Sequence, residues 1–361
     1  MKRLILTTTA ALALGALSAT AEEVRVYNWS DYIDEELLTK FEEETGIKLI
    51  YDVFDSNEVL ETKMLAGGSG YDVVVPSGSF LARQIEAGAF QKLDKSQLPN
   101  SENMWGAIEE RTAGYDPGNE YSINYMWGTT GIGVNTIKVA EVLGEDAPID
   151  SLSLLFDPAN MEKLASCGVY FLDAPDEMIP AALKYIGEDP NSADPDVIEK
   201  AEEVFTAVRP YIKKFHSSEY INALANGDIC VAFGWSGDVL QARDRAAEAD
   251  NGVEIAYNAP KEGALIWFDQ MSIPTDAPNP EGAHKFLNFI MDAENMAAAS
   301  NYVYYANGNE ASQEFLVEDV IDDPAIYPNE ETVKNLYTKD AYPPKVQRKA
   351  TRLWTKIKSG T

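Results

Sequence analysis

Positive charge is scarce in this chain. Only 29 lysines and arginines stand against 59 aspartates and glutamates, a formal charge of −30 over 361 residues. So acidic a surface repels nucleic acid and anionic lipid, and it favours the approach of cations. Histidine and cysteine are almost absent, at two each. His216 and His284 stand alone, without the spacing of a zinc-binding helix, and are expected to be surface or packing residues. There is no Gly-rich phosphate loop, no Ser-His-Asp set and no metal motif, so neither a metal nor a cofactor is expected. Internal repeats and low-complexity tracts are missing too.

Long hydrophobic runs are also lacking. The apolar stretch at residues 4–17 has 14 residues, short of the ~20 that a membrane-spanning helix needs. It follows Met1-Lys2-Arg3 and precedes Ser18-Ala19-Thr20-Ala21-Glu22. That is the layout of a secretory signal peptide, residues 1–21, cleaved after Ala21; a buried N-terminal helix is the alternative. No lipobox-type cysteine follows, so no lipid anchor is expected. The mature chain should be exported and soluble, with 27 basic and 59 acidic residues and a formal charge of −32. Cys167 and Cys230 adjoin or lie within predicted strands at 168–172 and 229–233. In an oxidising compartment they are expected to pair, the alternative being two buried free thiols. A bridge would close a loop of about 60 residues and contribute ~4 kcal/mol on the chain-entropy model.

What the chain does have is an alternation of short apolar runs and amphipathic segments. Strands are predicted at 24–27, 47–51 and 72–75, with helices over 34–44 and from about 56 between them. The run at 72–75 is apolar without alternation, as a parallel strand buried on both faces should be. The same grammar resumes with helices at 176–187, 197–214 and from 237, then strands at 252–258 and 265–273 and a helix over about 280–300. The tail at 309–361 reads as helices and loops. This is an α/β fold, and about 340 mature residues imply two domains. Crossovers between them are placed at 131–135 and 253–260.

Aromatic residues sit beside carboxylates in several turns: Tyr27-Asn28-Trp29-Ser30-Asp31-Tyr32, Asp173-Ala174-Pro175-Asp176-Glu177, Gly234-Trp235-Ser236-Gly237-Asp238 and Trp267-Phe268-Asp269. Trp29, Ser77, Glu177 and Trp235 follow predicted strands, where open α/β sheets bind ligands. Ring faces attract cations and carboxylates neutralise them, so a converged set would hold a small organic cation. One carboxylate at ~4 Å returns about 4 kcal/mol at an effective dielectric of 20, and each buried methylene adds ~0.8 kcal/mol. A flexible dication therefore fits better than a metal ion or a neutral sugar. None of these turns carries Arg or Lys, so no acid group is expected on the ligand. Each residue has an ordinary alternative. Asp31 and Asp238 suit helix N-caps, Trp29 and Trp235 suit core packing, and Tyr302, Tyr304 and Tyr305 suit a surface segment.

Phe41-Glu42-Glu43-Glu44-Thr45-Gly46-Ile47, Tyr51-Asp52-Val53-Phe54-Asp55-Ser56-Asn57-Glu58, Val75-Pro76-Ser77 and Asn226-Gly227-Asp228-Ile229-Cys230-Val231 join the first turn in a resemblance. Over essentially the whole mature chain, the sequence resembles the periplasmic polyamine-binding proteins of ABC transporters, nearest their putrescine-binding branch. The resemblance implies a bilobed periplasmic-binding-protein fold of type II. Its lobes would be 22–131 plus 256–308 and 132–255 plus 309–361, acting as a monomer that hands its ligand to a membrane permease. It also implies an aromatic box of Trp29, Tyr32, Trp235, Trp267 and Tyr305. Ser30, Asp31 and Asp238 would hold one ammonium, Asp269 with Glu177 the other, and Ser77 would line the cleft. The pair Cys167–Cys230 matches a disulfide of that branch. Trp267 stands where putrescine-preferring relatives tend to have Phe, whereas Ala174 stands where some spermidine binders place an acid; putrescine is ranked ahead of spermidine. Alternatives are a ferric-ion receptor using Tyr302, Tyr304 and Tyr305, a choline or betaine receptor, and an exported hydrolase with Asp31 and Asp238 as a carboxylate pair.

Overall fold

The first strand–helix–strand unit forms where the apolar pattern predicts it. Strand β1 (Glu23–Trp29) runs parallel to β2 (Lys48–Phe54), and the helix Glu35–Thr45 between them buries Leu37 and Phe41. Asp34 caps that helix by accepting from the Glu36 amide at 2.9 Å. The next helix, Asn57–Ala66, starts at Ser56, whose hydroxyl accepts from the Val59 amide at 3.2 Å. The computed structural model describes residues 22–360, so the expected signal peptide at 1–21 lies outside the described residues.

Further strands are β3 (Val73–Val74), β4 (Ser122–Asn135), β5 (Val169–Phe171), β6 (Lys214–Phe215), β7 (Val231–Trp235), β8 (Ile255–Asn258), β9 (Leu265–Ser272) and β10 (Ala306–Asn307). Their order is β2-β1-β3-β9-β4-β7-β5-β6, with β8 and β10 also paired to β4. Strand β4 is the seam. Its first part, from Ser122 to Thr130, pairs antiparallel with β9, and Thr130 to Val134 pairs antiparallel with β7. On one side lie parallel strands β1–β3, on the other parallel strands β5–β7.

Two large cores form accordingly, with a smaller third cluster around Trp127, Leu240 and Phe268. One draws on chain from Val24 to Met126 and from Leu265 to Tyr305. The other draws on Ile132 to Ile255 and on Tyr342 to Ile357. Strand β8 lies against the Ile132–Asn135 end of β4. The tail is shared as well. Asn309 bridges to Met104 and Tyr337 to Leu265, whereas the final helix Pro344–Ser359 packs on the helix Pro195–Val208.

Two predicted helices are cut by local chemistry. The stretch at 280–300 is two helices, Pro280–Ile290 and Ala293–Val303, because Asp292 accepts from the Glu294 and Asn295 amides and starts the second. The helix expected to reach 214 stops at Val208, just before Pro210, which has no amide hydrogen to give.

Cys167 and Cys230 precede β5 and β7, and Val169 lies opposite Val231 in that parallel pair. The register brings the cysteine Cα atoms to 5.4 Å, and the disulfide forms across a separation of 63 residues. Replacing both cysteines by alanine should lower unfolding free energy by about 4 kcal/mol, the entropy of an open loop of that size. Urea unfolding of oxidised wild type and the double variant measures it; equal midpoints and slopes would refute the expectation.

Candidate functional site

Strand β1 ends at Trp29, whose indole N–H donates to the Val75 carbonyl at 2.9 Å and so is pinned to the residue just after β3. Strand β7 ends at Trp235, with its ring centroid 5.6 Å from that of Trp29 and the planes at 72°. Trp267, from β9, meets Tyr305 edge-on at 5.2 Å, and Tyr32 meets Tyr305 at 5.3 Å. These rings approach a backbone that tolerates no side chain. A Cβ on Gly128 would lie 2.8 Å from Trp267 and 2.9 Å from Tyr305, and one on Gly237 would lie 2.5 Å from Tyr305. Only glycine permits that approach.

Two aspartates close the box, each held by two hydroxyl donors. Asp269 accepts from Ser77 Oγ at 2.6 Å and from the Tyr32 hydroxyl at 2.8 Å. Asp238 accepts from the Tyr305 and Tyr220 hydroxyls, both at 2.7 Å. Glu177, in the first turn of the helix Pro175–Tyr185, accepts from Thr130 Oγ1 at 2.5 Å. Burial pushes Asp269 up to about 7, resisted by the Ser77 and Tyr32 hydrogen bonds and reinforced by Asp238. Burial likewise raises Asp238 to about 6 against the pull of its two tyrosines. It raises Glu177 to about 7 against donors from Thr130 and Trp235. Hydroxyls donate hydrogen bonds but bring no charge, so these acids remain uncompensated.

The box is partly open to solvent, and every predicted site residue except Asp31 lines it. Asp31 lies apart from the others. Its backbone is left-handed, with φ 54°. Its carboxylate, 44% exposed, pairs with Arg245 at 2.8 Å instead of facing the cavity. Neither Asp31 nor Asp238 caps a helix; the helix Ser236–Glu248 starts at Trp235 without a side-chain cap. The clustered tyrosines part company too, since Tyr302 is exposed while Tyr305 is buried against Asp238. Sequence reasoning missed four lining residues: Asp55, Asn57, Ser217 and Ser218. Asn57 was legible in principle, being in a quoted run, and it donates to Ser77 Oγ at 2.9 Å. The two serines follow β6, a strand too short to leave a pattern. No lysine or arginine lines the box among the described residues.

Residues 36–328 match the sequence profile of the bacterial extracellular solute-binding proteins. The chain belongs to that family. It is 54% identical over 357 residues to the putrescine-binding periplasmic protein SpuD of Pseudomonas aeruginosa (strain UCBPP-PA14), covering 99% of this chain and 97% of that one. Against the putrescine-binding periplasmic protein PotF of Escherichia coli (strain K12), identity is 50%, covering 97% and 95%. A solved structure, a putative spermidine/putrescine ABC transporter protein from Listeria monocytogenes, superposes with a TM-score of 0.84 at 32% identity, covering 94% and 99%. This solute-binding protein has the bilobed α/β fold of its family, two lobes joined by hinge crossovers. It is a receptor and not an enzyme, which removes the carboxylate-pair hydrolase.

The three raised carboxyls make a stability prediction. Each holds its proton to higher pH when folded than when unfolded, so the unfolded chain ionises first as pH rises. Their contribution to stability therefore falls between about pH 4 and pH 7. Unfolding of ligand-free protein in urea from pH 5 to 8 should show a decline that Glu177→Gln makes shallower. Identical pH dependence in wild type and variant would contradict the assignment.

Proposed function

We propose that this protein is a periplasmic receptor that captures a polyamine in the interlobe cleft and delivers it to the permease of an ABC transporter. The ligand is a diamine of the putrescine type ahead of spermidine. The observation that carries this reading is a pair of buried, hydroxyl-tethered aspartates in an aromatic box without a lining cation. An ammonium supplies what the hydroxyls cannot, a positive charge with three N–H donors for the remaining carboxylate lone pairs. The methylenes between two ammonium groups lie against Trp29, Trp235 and Trp267, whose faces also attract cations. Asp238 with Ser30 holds one end, and Asp269 with Glu177 the other. The names of the relatives at 54% and 50% identity support a diamine and a periplasmic location.

In this reading residues 1–21 are the export signal. One lobe is 22–131 plus the chain after β8 to 308, and the other is 132–258 plus the final helix. Closure bends the chain near Thr130 and between β8 and β9, and the segments that the tail lends to both lobes move with the lobe they pack on. The charge of −30 favours capture of cations from solution.

Calorimetry with putrescine and spermidine tests the reading; heat and thermal stabilisation are expected, and their absence with both ligands would end it. Asp269→Asn should keep the fold, seen by circular dichroism, and lose about 100-fold in putrescine affinity, the scale of removing one partner of a buried charge pair. Undiminished affinity would show that Asp269 is misassigned. Affinity should rise about tenfold from pH 6 to pH 8, because Asp269 and Glu177 ionise there while an alkylammonium stays charged. A flat profile would remove those acids from the site.

A further inference from the structure

Ser77 occupies the N-cap position of the helix Gly78–Glu86, where a serine hydroxyl normally accepts from an amide of the first turn. Ser77 makes no such bond. Its Oγ donates to Asp269 Oδ1 at 2.6 Å and accepts from Asn57 Nδ2 at 2.9 Å. A helix cap is forgone so that the hydroxyl can face the carboxylate, and Asn57 is the group that turns it there.

The direction of each bond follows from the atoms available. The Ser77 amide donates to Asn57 Oδ1 at 3.1 Å, which fixes the oxygen end of that side chain. Turned over, the carboxamide would set its own N–H groups against the Ser77 amide, donor to donor. Nδ2 therefore faces Ser77 Oγ and fills one of its lone pairs. A serine hydroxyl has a single hydrogen, and with a donor already pointing at the oxygen that hydrogen goes to Asp269. Asn57 is free for this task because Ser56 caps its helix, accepting from the Val59 amide. Ser77 and Asp269 are also joined by a backbone bridge, and the Gln270 amide donates to the Pro76 carbonyl at 2.9 Å, so donor and acceptor stay in register.

The other aspartate of the box has the same arrangement built from backbone. The Tyr220 hydroxyl accepts from the Trp235 amide at 3.0 Å and donates to Asp238 at 2.7 Å. The Tyr305 hydroxyl accepts from the Asp238 amide at 3.1 Å and donates to Asp238 at 2.7 Å. In each case an N–H behind the hydroxyl sends its hydrogen toward the acid. Behind Ser77 that N–H belongs to a side chain, so a substitution can remove it.

We propose that Asn57 is a positioning residue for ligand capture: acting through Ser77, it keeps the serine hydrogen on Asp269 and so holds that carboxylate ready for an ammonium group. This inference rests on the polyamine reading of the box and deepens it. Without Asn57 the Ser77 hydroxyl can rotate back to cap its own helix. Asp269 then loses a donor that favours its ionised form, and it holds its proton to higher pH. Tyr32, Glu177 and Asp238 also act on Asp269, and they are unchanged by the substitution.

Calorimetric titration with putrescine at pH 6 and pH 8 compares wild type, Asn57→Ala, Ser77→Ala and the double variant. Asn57→Ala should bind about tenfold more weakly than wild type at pH 6 and at most about threefold more weakly at pH 8, because Asp269 ionises over that interval. In the Ser77→Ala background the same substitution should change affinity by less than about twofold at either pH, since its route to the carboxylate is gone. Asn57→Leu, of matching shape, repeats the comparison if the alanine variant does not fold. An equal loss in both backgrounds would overturn the inference. So would a loss independent of pH, the mark of an altered cavity shape, or no loss at all. A wild type that binds no putrescine at either pH would instead refute the polyamine reading itself.

Discussion

Asp238 and Asp269 are carboxylates taken out of water, and the architecture of the cleft follows from keeping them there. Each is retained by two hydroxyls from distant chain: Tyr220 and Tyr305 on the first, Tyr32 and Ser77 on the second. Tyr32 and Tyr305 touch, so the two acids belong to one network spanning both halves of the sheet. Burying such groups costs several kcal/mol each unless they are neutralised. That cost raises the proton affinity of both aspartates and of Glu177. A bound dication would relieve it.

The seam strand makes this possible. Because β4 pairs with β9 on one stretch and with β7 on the next, the two halves of the sheet share a backbone ladder. Gly128 lies in it, where its missing side chain admits Trp267 and Tyr305. Gly237 does the same from the start of the helix after β7. Small residues thus decide how closely the aromatic walls approach, while hydroxyls decide where the acids point. Arg245 pairs with Asp31 at 2.8 Å, and Asp31 does not line the box.

Much of this was legible locally. Strands 24–27 and 47–51 were readable from apolar runs, and the neighbouring strands that follow the cysteines were too, because those signals depend on a few adjacent residues. The errors lie where one residue overrides a periodic pattern. Asp292 splits one helix by capping a second, and Pro210 ends another by withholding a hydrogen bond. Asp31 has a left-handed backbone and pairs with Arg245, neither of which a periodic pattern records.

The amino-acid sequence alone determined the α/β class, the acidic surface and the pairing of aromatic rings with carboxylates at strand ends, since each depends on residue type and short-range spacing. Tertiary structure alone decided which acids share the cavity and that Ser217 and Ser218 join it. Those outcomes turn on side-chain direction and on contacts between residues up to 237 positions apart, as for Tyr32 and Asp269. Such contacts leave no periodic trace along the chain.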